Sequence, residues 1–397
     1  MQGKMKGVTL VADWDPKPTF KLGAKDIEGR QTYLGSLVWR NPRLEIREYD
    51  IPTPGPDEVL LQVKACGICG SDVHMAQARE DGYIYYPGLT GFPCILGHEL
   101  SGIVVEAGKD ARDKRTNKPF KGGERVTTEE MLWCGHCKPC ADGFPNHCEN
   151  LDEIGFNVNG AFAQYVALPA KTLWSLEPLA NTYKGDDLFV AGSLTEPTSV
   201  AYNAVIERGG GIRPGDRVVI LGGGPIGVAA CAILKRAGAS QVIISEPQPE
   251  RAALALAMGA DYAINPREEN FADRVLEITG GMGADLFMEA TGLPQIVYPD
   301  IERVIWEGRT LNSTVVVTAR AEAKMPVTGE VLQVRRARIV GSQGHSGHGT
   351  FPRVIECMAD GMDMTRMSTK KITLEEVPEN IIMLQKNRTE CKITCQM

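Results

Sequence analysis

The stretch that most restricts how this chain can fold runs from Arg217 to Gly227. A short apolar run, Arg217-Val-Val-Ile-Leu221, leads directly into Gly222-Gly-Gly224-Pro225-Ile226-Gly227, and a helical pattern follows over residues 228–237. Few architectures accept a buried strand that turns through glycines into a helix. The alternation then continues. Strand-like runs fall at 242–245, 263–265, 285–289, 310–318 and 339–341, with a helix over 251–258 closed by Gly259. Such repetition predicts an α/β unit built on a doubly wound parallel sheet. Gly222 permits the turn, and Gly224 lets a pyrophosphate approach the backbone. The unpaired N–H groups at the helix start attract phosphate charge. Glu246, at the end of the next strand, is placed to accept hydrogen bonds from adenosine ribose hydroxyls. It would repel a 2′-phosphate, so NAD is expected over NADP. Pro225, Ile226 and the nearby Arg251 complete the expected cofactor-binding set.

The preceding half has a different texture. Runs at 6–12, 44–49 and 59–65 read as strands, with the turn Pro52-Thr-Pro-Gly-Pro-Asp57 between the last two. Many short strands favour a barrel-like β-rich domain. Residues 13–38, rich in Pro, Gly, charge and aromatics, read as an ordered surface insertion. A chain of 397 residues exceeds one ordinary core. We expect a catalytic domain from 1–198 and 342–397 and a nucleotide domain from 199–341. In the polar stretch after Gly341, His345 and His348 fit either pocket donors or a surface loop. Residues 351–361 read as a helix, and the tail returns to the first domain.

A net charge of −7 offers no basic footprint for nucleic acid or anionic lipid. No run approaches ~18 apolar residues, so no membrane span is expected. Eleven cysteines in so long a chain point to a reducing, cytoplasmic setting, where clustered thiols bind metal. Four of them, Cys134, Cys137, Cys140 and Cys148, form C-x2-C-x2-C-x7-C. That spacing suits a closed tetrahedral zinc site, the first three chelating from one turn and the fourth folding back. The run lacks the x3 gap and proline of a ferredoxin cluster. His136 and His147 are surplus to a filled shell.

A second group gathers around Cys66-Gly-Ile-Cys69-Gly-Ser71-Asp72-Val-His74. Cys69 reads as a ligand of a catalytic zinc, His98 of Gly97-His98-Glu99 as the second ligand, and Glu196 as a candidate third. Three protein ligands leave one position open. Bound zinc lowers the pKa of its water from about 16 to about 7, worth roughly 12 kcal/mol. A side-chain base supplies only about 3–5 kcal/mol. The metal therefore contributes most to activating the hydroxyl, and side chains serve as the proton route: Ser71 next to the reacting hydroxyl, then His74 outward. Asp72 is placed to orient a ligand. Cys66 is assigned to packing.

Together, Gly67-Ile-Cys-Gly-Ser-Asp-Val-His74, Gly97-His-Glu99, the four-cysteine lobe, Glu196-Pro197, Leu221-Gly-Gly-Gly-Pro-Ile-Gly227 and Glu289-Ala-Thr-Gly292 resemble the zinc-dependent medium-chain alcohol and polyol dehydrogenases. The resemblance covers about residue 59 onward. It implies a GroES-like catalytic domain, a Rossmann domain, two zincs per chain, NAD, a small polyol or cyclitol substrate and a homodimer or homotetramer. By the same resemblance Glu99 binds the catalytic zinc directly, and Glu196 exchanges with water. The 13–39 insertion and the stretches 86–93, 129–134 and 341–352 resemble a branch of bacterial inositol catabolism. This implies NAD-linked oxidation at ring carbon 3 of a keto-inositol. Sorbitol-, threonine- or glucose-type dehydrogenases are the alternative, and a non-catalytic relative of the fold fits least, since it lacks both zinc signatures.

Overall fold

The computed structural model describes residues 2–345 and 347–397. The chain forms two compact units. The first comprises Met1–Glu196, Phe351–Arg388 and Lys392–Met397, and the second Pro197–Thr350 with Thr389–Cys391.

The first unit is built on a seven-stranded sheet around Glu58–Gly67. Antiparallel to that strand lie Glu99–Ala107, Tyr165–Pro169 and Lys392–Gln396. Pairing on both edges satisfies this strand's backbone, and packing covers side chains on both of its faces. Accordingly Val59, Leu60, Leu61, Val63, Ala65 and Cys66 are all buried, giving the near-continuous apolar run seen in sequence. A second sheet pairs Lys4–Trp14 with Trp39–Asp50 and Cys94–Ile95. These two long strands pair from Lys4↔Asp50 to Trp14↔Trp39, which extends them beyond the expected 6–12 and 44–49. The insertion between them is pinned at its base. Asp15 N–H donates to the Val38 carbonyl (2.8 Å), and the buried Trp39 ring meets Trp14 and Phe92 edge-on at 5.0 and 5.1 Å.

The second unit holds one parallel six-stranded sheet. Its order is Tyr262–Ile264, Gln241–Ser245, Arg217–Leu221, Leu286–Glu289, Thr314–Val317, Arg338–Gly341. This is the 3-2-1-4-5-6 order of the doubly wound class, with its switch point between Arg217–Leu221 and Leu286–Glu289. The strand expected over 310–318 begins only at Thr314, because Asn312 takes a left-handed φ of 66° that interrupts extension.

Candidate active site

Each donor in the first unit is placed by a local device. Cys69 caps the helix Gly70–Ala76, and Asp72, three residues on, returns its Oδ2 to accept the Cys69 N–H at 2.8 Å. The cap fixes the Cys69 backbone and points Asp72 inward, where it is fully buried. Gly97 has φ of 93°, and a Cβ there would lie 2.8 Å from Cys66 Sγ. Only glycine fits this turn, which delivers His98 and Glu99 to the start of the strand Glu99–Ala107. Phe156 lies against the His98 ring at 4.8 Å.

Cys69, His98 and Glu99 offer donor atoms that all lie within 4.8 Å of one another. The surrounding polar atoms fit a cation. Ser71 Oγ, Asp72 Oδ1, His98 Nδ1 and Glu99 Oε2 are buried without a hydrogen-bond partner. Four such atoms would each cost about 1–3 kcal/mol if nothing were to satisfy them. A thiol, an imidazole and a carboxylate are a donor set suited to zinc. Glu196, buried in the helix Asp186–Tyr202, acts electrostatically on both His98 and Glu99 but is not one of the three converging donors. Burial is the largest single effect on His98 and opposes its charge, but the Asp72 carboxylate 3.9 Å from Nδ1, together with Cys69 and Glu196, outweighs it and holds the imidazole well above its ordinary pKa.

One residue of the site has no counterpart among the sequence motifs. Lys392, about 2% exposed, places its ammonium 2.6 Å from Glu99 Oε1 and 2.9 Å from the Ile68 carbonyl. Burial would lower its pKa, but the Glu99 carboxylate keeps it above the ordinary lysine value. The available signal was a single lysine within the otherwise apolar and small tail Cys391-Lys-Ile-Thr-Cys395, since a buried charge needs a partner.

Beside these groups, the half-buried His74 meets Arg388, whose Nη2 lies 3.3 Å from its Nε2. A guanidinium only donates, so Nε2 accepts and the proton sits on Nδ1. Burial, then the Arg388 charge, push His74 down to about 4, leaving it neutral at physiological pH.

The four lobe cysteines also converge within 4.8 Å, with Cys137 and Cys148 sulfurs 3.8 Å apart. Sulfurs ~2.3 Å from a tetrahedral zinc would be about 3.8 Å apart. The backbone N–H groups of Cys134 and Asn150 reach Cys148 Sγ at 3.3 Å, though burial still holds that thiol above its ordinary value, whereas the His136 N–H leads the effects that bring Cys134 down to about 5. His136 and His147 are exposed.

In the second unit, Gly222 turns with φ of 102°, and a Cβ on Gly227 would lie 1.9 Å from the Gly222 carbonyl. Gly224, which caps the helix Pro225–Arg236, has nothing within 4 Å of a notional Cβ, so the approach to its backbone is open. Glu246 accepts the Gly223 N–H at 2.7 Å and the Gln248 N–H at 2.8 Å. Arg251 is engaged by the Glu390 carbonyl at 2.7 Å. His345 is buried and His348 exposed.

Residues 55–178 match the alcohol dehydrogenase GroES-like domain, and residues 225–360 match the zinc-binding dehydrogenase family. The scyllo-inosose 3-dehydrogenase of Thermotoga maritima is 65% identical over 98% of this chain and 99% of its own. The chain belongs to the zinc-binding medium-chain dehydrogenases. A solved structure from Thermotoga maritima, assigned there to the alcohol dehydrogenases, is 64% identical to this dehydrogenase. It superposes with a TM-score of 0.96 over 99% of this chain and 100% of the other. A zinc-binding dehydrogenase from Sinorhizobium meliloti with NADP bound is 27% identical, with a TM-score of 0.77 over 100% of each chain. The dehydrogenase is thus a GroES-like plus Rossmann protein, an oxidoreductase of the alcohol and polyol class. Among its described residues, no helix is long and apolar enough to cross a membrane.

Proposed function

We propose that this dehydrogenase oxidises the carbon 3 hydroxyl of scyllo-inosose, passing hydride to NAD as a step of inositol breakdown. The observation that carries the reading is the 65% identity over nearly the whole of both chains to an enzyme of that name. The site chemistry supports it. Cys69, His98 and Glu99 would hold a catalytic zinc, and Glu196, whose charge acts on Glu99, would exchange with water at it. A zinc ion there supplies a Lewis acid that acidifies the substrate hydroxyl. Ser71, whose Oγ is buried and unpaired, would accept the released proton as it gives up its own, and the neutral His74 would pass that proton outward. Asp72 fixes the cysteine backbone and faces the imidazole, and Lys392 holds one oxygen of Glu99 so that Oε2 is left for the metal. Cys134, Cys137, Cys140 and Cys148 would hold a second, structural zinc.

Gly222, Gly224, Pro225, Ile226 and Gly227 form the pyrophosphate turn, with Glu246 at the adenosine ribose. That carboxylate, fixed by two backbone N–H groups, disfavours a 2′-phosphate, so NAD is preferred. A polyhydroxylated ring is discriminated by buried polar groups that analogues leave unpaired. The test is a screen of inositols, inososes, sugars and amino alcohols with NAD and NADP, followed by NADH absorbance, alongside metal analysis. The expected outcome is scyllo-inosose oxidation with NAD and two zincs per chain. Cys69→Ser should lose one zinc and all turnover while keeping its fold. Turnover retained in that variant, or faster turnover of threonine or sorbitol, would refute the assignment.

A further inference from the structure

Glu289 ends the strand Leu286–Glu289 and is 1% exposed. Its two oxygens are treated very differently. Oε1 accepts three hydrogen bonds, from the Thr291 N–H (2.8 Å), the Thr291 hydroxyl (2.6 Å) and the Gly292 N–H (3.0 Å). Oε2 is buried and has no partner. A carboxylate kept only to brace the Ala290–Gly292 turn would need one oxygen, because a neutral amide accepts the same three donors without burying a charge.

Its place in the sheet sets the Glu289 turn beside the glycine turn. The strand Arg217–Leu221, which feeds the glycine turn, is flanked by Gln241–Ser245 on one side and Leu286–Glu289 on the other, with Leu221 in register with both Ser245 and Glu289. Glu246 follows the first flank and Glu289 ends the second. The Glu289 turn packs on the glycine turn itself: a Cβ on Gly222 would lie 2.9 Å from the Ala290 carbonyl and 3.2 Å from Thr291 Cγ2. With pyrophosphate over the glycine turn and adenosine ribose at Glu246, the remaining half of a dinucleotide extends over the Glu289 side of the switch point. One strand further, Thr318, whose N–H donates to the Glu289 carbonyl, also keeps a buried, unpaired Oγ1.

We infer that Glu289 contacts the cofactor, its unpaired Oε2 accepting a hydrogen bond from the nicotinamide-riboside half of the bound dinucleotide. The donor is the carboxamide N–H or a ribose hydroxyl, two sources of one chemistry. This inference rests on the dinucleotide reading above.

Glu289→Gln is the informative variant. Its amide oxygen can keep the three bonds of Oε1, while its NH2 turns the acceptor at Oε2 into a donor. Dissociation constants for NADH and for ADP, which lacks the whole nicotinamide-riboside half, are measured on the zinc-loaded protein, with melting temperature and zinc content as fold controls. We expect NADH to bind at least ten times more weakly and ADP within twofold of the parent. Thr291→Val, which removes one donor to Oε1 and leaves Oε2 untouched, should bind NADH within twofold. The 3-acetylpyridine analogue of NADH separates the sources. A Glu289→Gln penalty that disappears with the analogue identifies the carboxamide, and one that persists identifies the ribose; either supports the contact. Unchanged NADH binding by Glu289→Gln overturns it, as does equal weakening of ADP or an equal loss in Thr291→Val. A parent protein that binds neither ligand would instead overturn the dinucleotide reading.

Discussion

Gly67 shows how much of the site depends on single atoms. A Cβ there would stand 2.1 Å from Glu99 Oε2 and 3.3 Å from Lys392 Cδ, so the carboxylate occupies space that only a glycine leaves. Gly67→Ala is expected to weaken metal binding at Cys69, His98 and Glu99 roughly 10–100-fold while the cysteine lobe keeps its ion. Zinc content after dialysis against graded chelator measures this. His74 supplies a pH dependence. Its folded value of about 4 lies below the ordinary 6.5, so the unfolded chain takes up the proton first as pH falls. The stabilising contribution is complete above about pH 6.5 and is lost towards pH 4, amounting to at most about 3 kcal/mol. Urea midpoints from pH 4 to 7 should fall more steeply for the parent than for His74→Gln; parallel curves would refute the neutral, buried imidazole. At this scale the convergence of Cys69, His98 and Glu99, and of the four lobe cysteines, was legible because ligand chemistry has characteristic spacings, whereas Glu196 does not join the first group. Lys392 was not, because its partner lies 293 residues away.

Among elements, the strand Lys392–Gln396 matters most. It pairs antiparallel with the end of Glu58–Gly67, Thr394 opposite Gly67 and Cys395 opposite Cys66, and so carries Lys392 under the candidate metal site. Breaking a buried ion pair by removing one partner costs roughly 3–5 kcal/mol. Lys392→Met should therefore lose about that much in denaturant unfolding, whereas Lys392→Met combined with Glu99→Gln should lose clearly less than the sum of the two single changes. Strands with apolar runs bounded by turns, such as Arg217–Leu221, were readable to the residue. The helix Asp186–Tyr202 is hard to read from sequence, because beyond its first turn it is buried nearly all round and no polar stripe marks its period. It continues past Pro197 into a π-helical segment, Asn203–Arg208, which no local pattern announces.

For the molecule as a whole, the class of architecture was legible because two short motifs, one of glycines and one of cysteines, each admit few folds. What sequence patterns could not supply was pairing between distant strands, which depends on where chain segments meet rather than on their own composition. Glu246→Ala should narrow the ratio of kcat/KM for NAD over NADP by tenfold or more while leaving zinc content unchanged, measured by steady-state kinetics with both cofactors. The long separation between Glu99 and Lys392 also has a bearing on biogenesis. A ribosome adding about 5–20 residues per second needs roughly 15–60 s to make the intervening chain. Throughout that interval a nascent polypeptide already displaying Cys69 and His98 lacks the ammonium that steadies their carboxylate neighbour. Productive loading of the ion is thereby deferred until translation has passed codon 392.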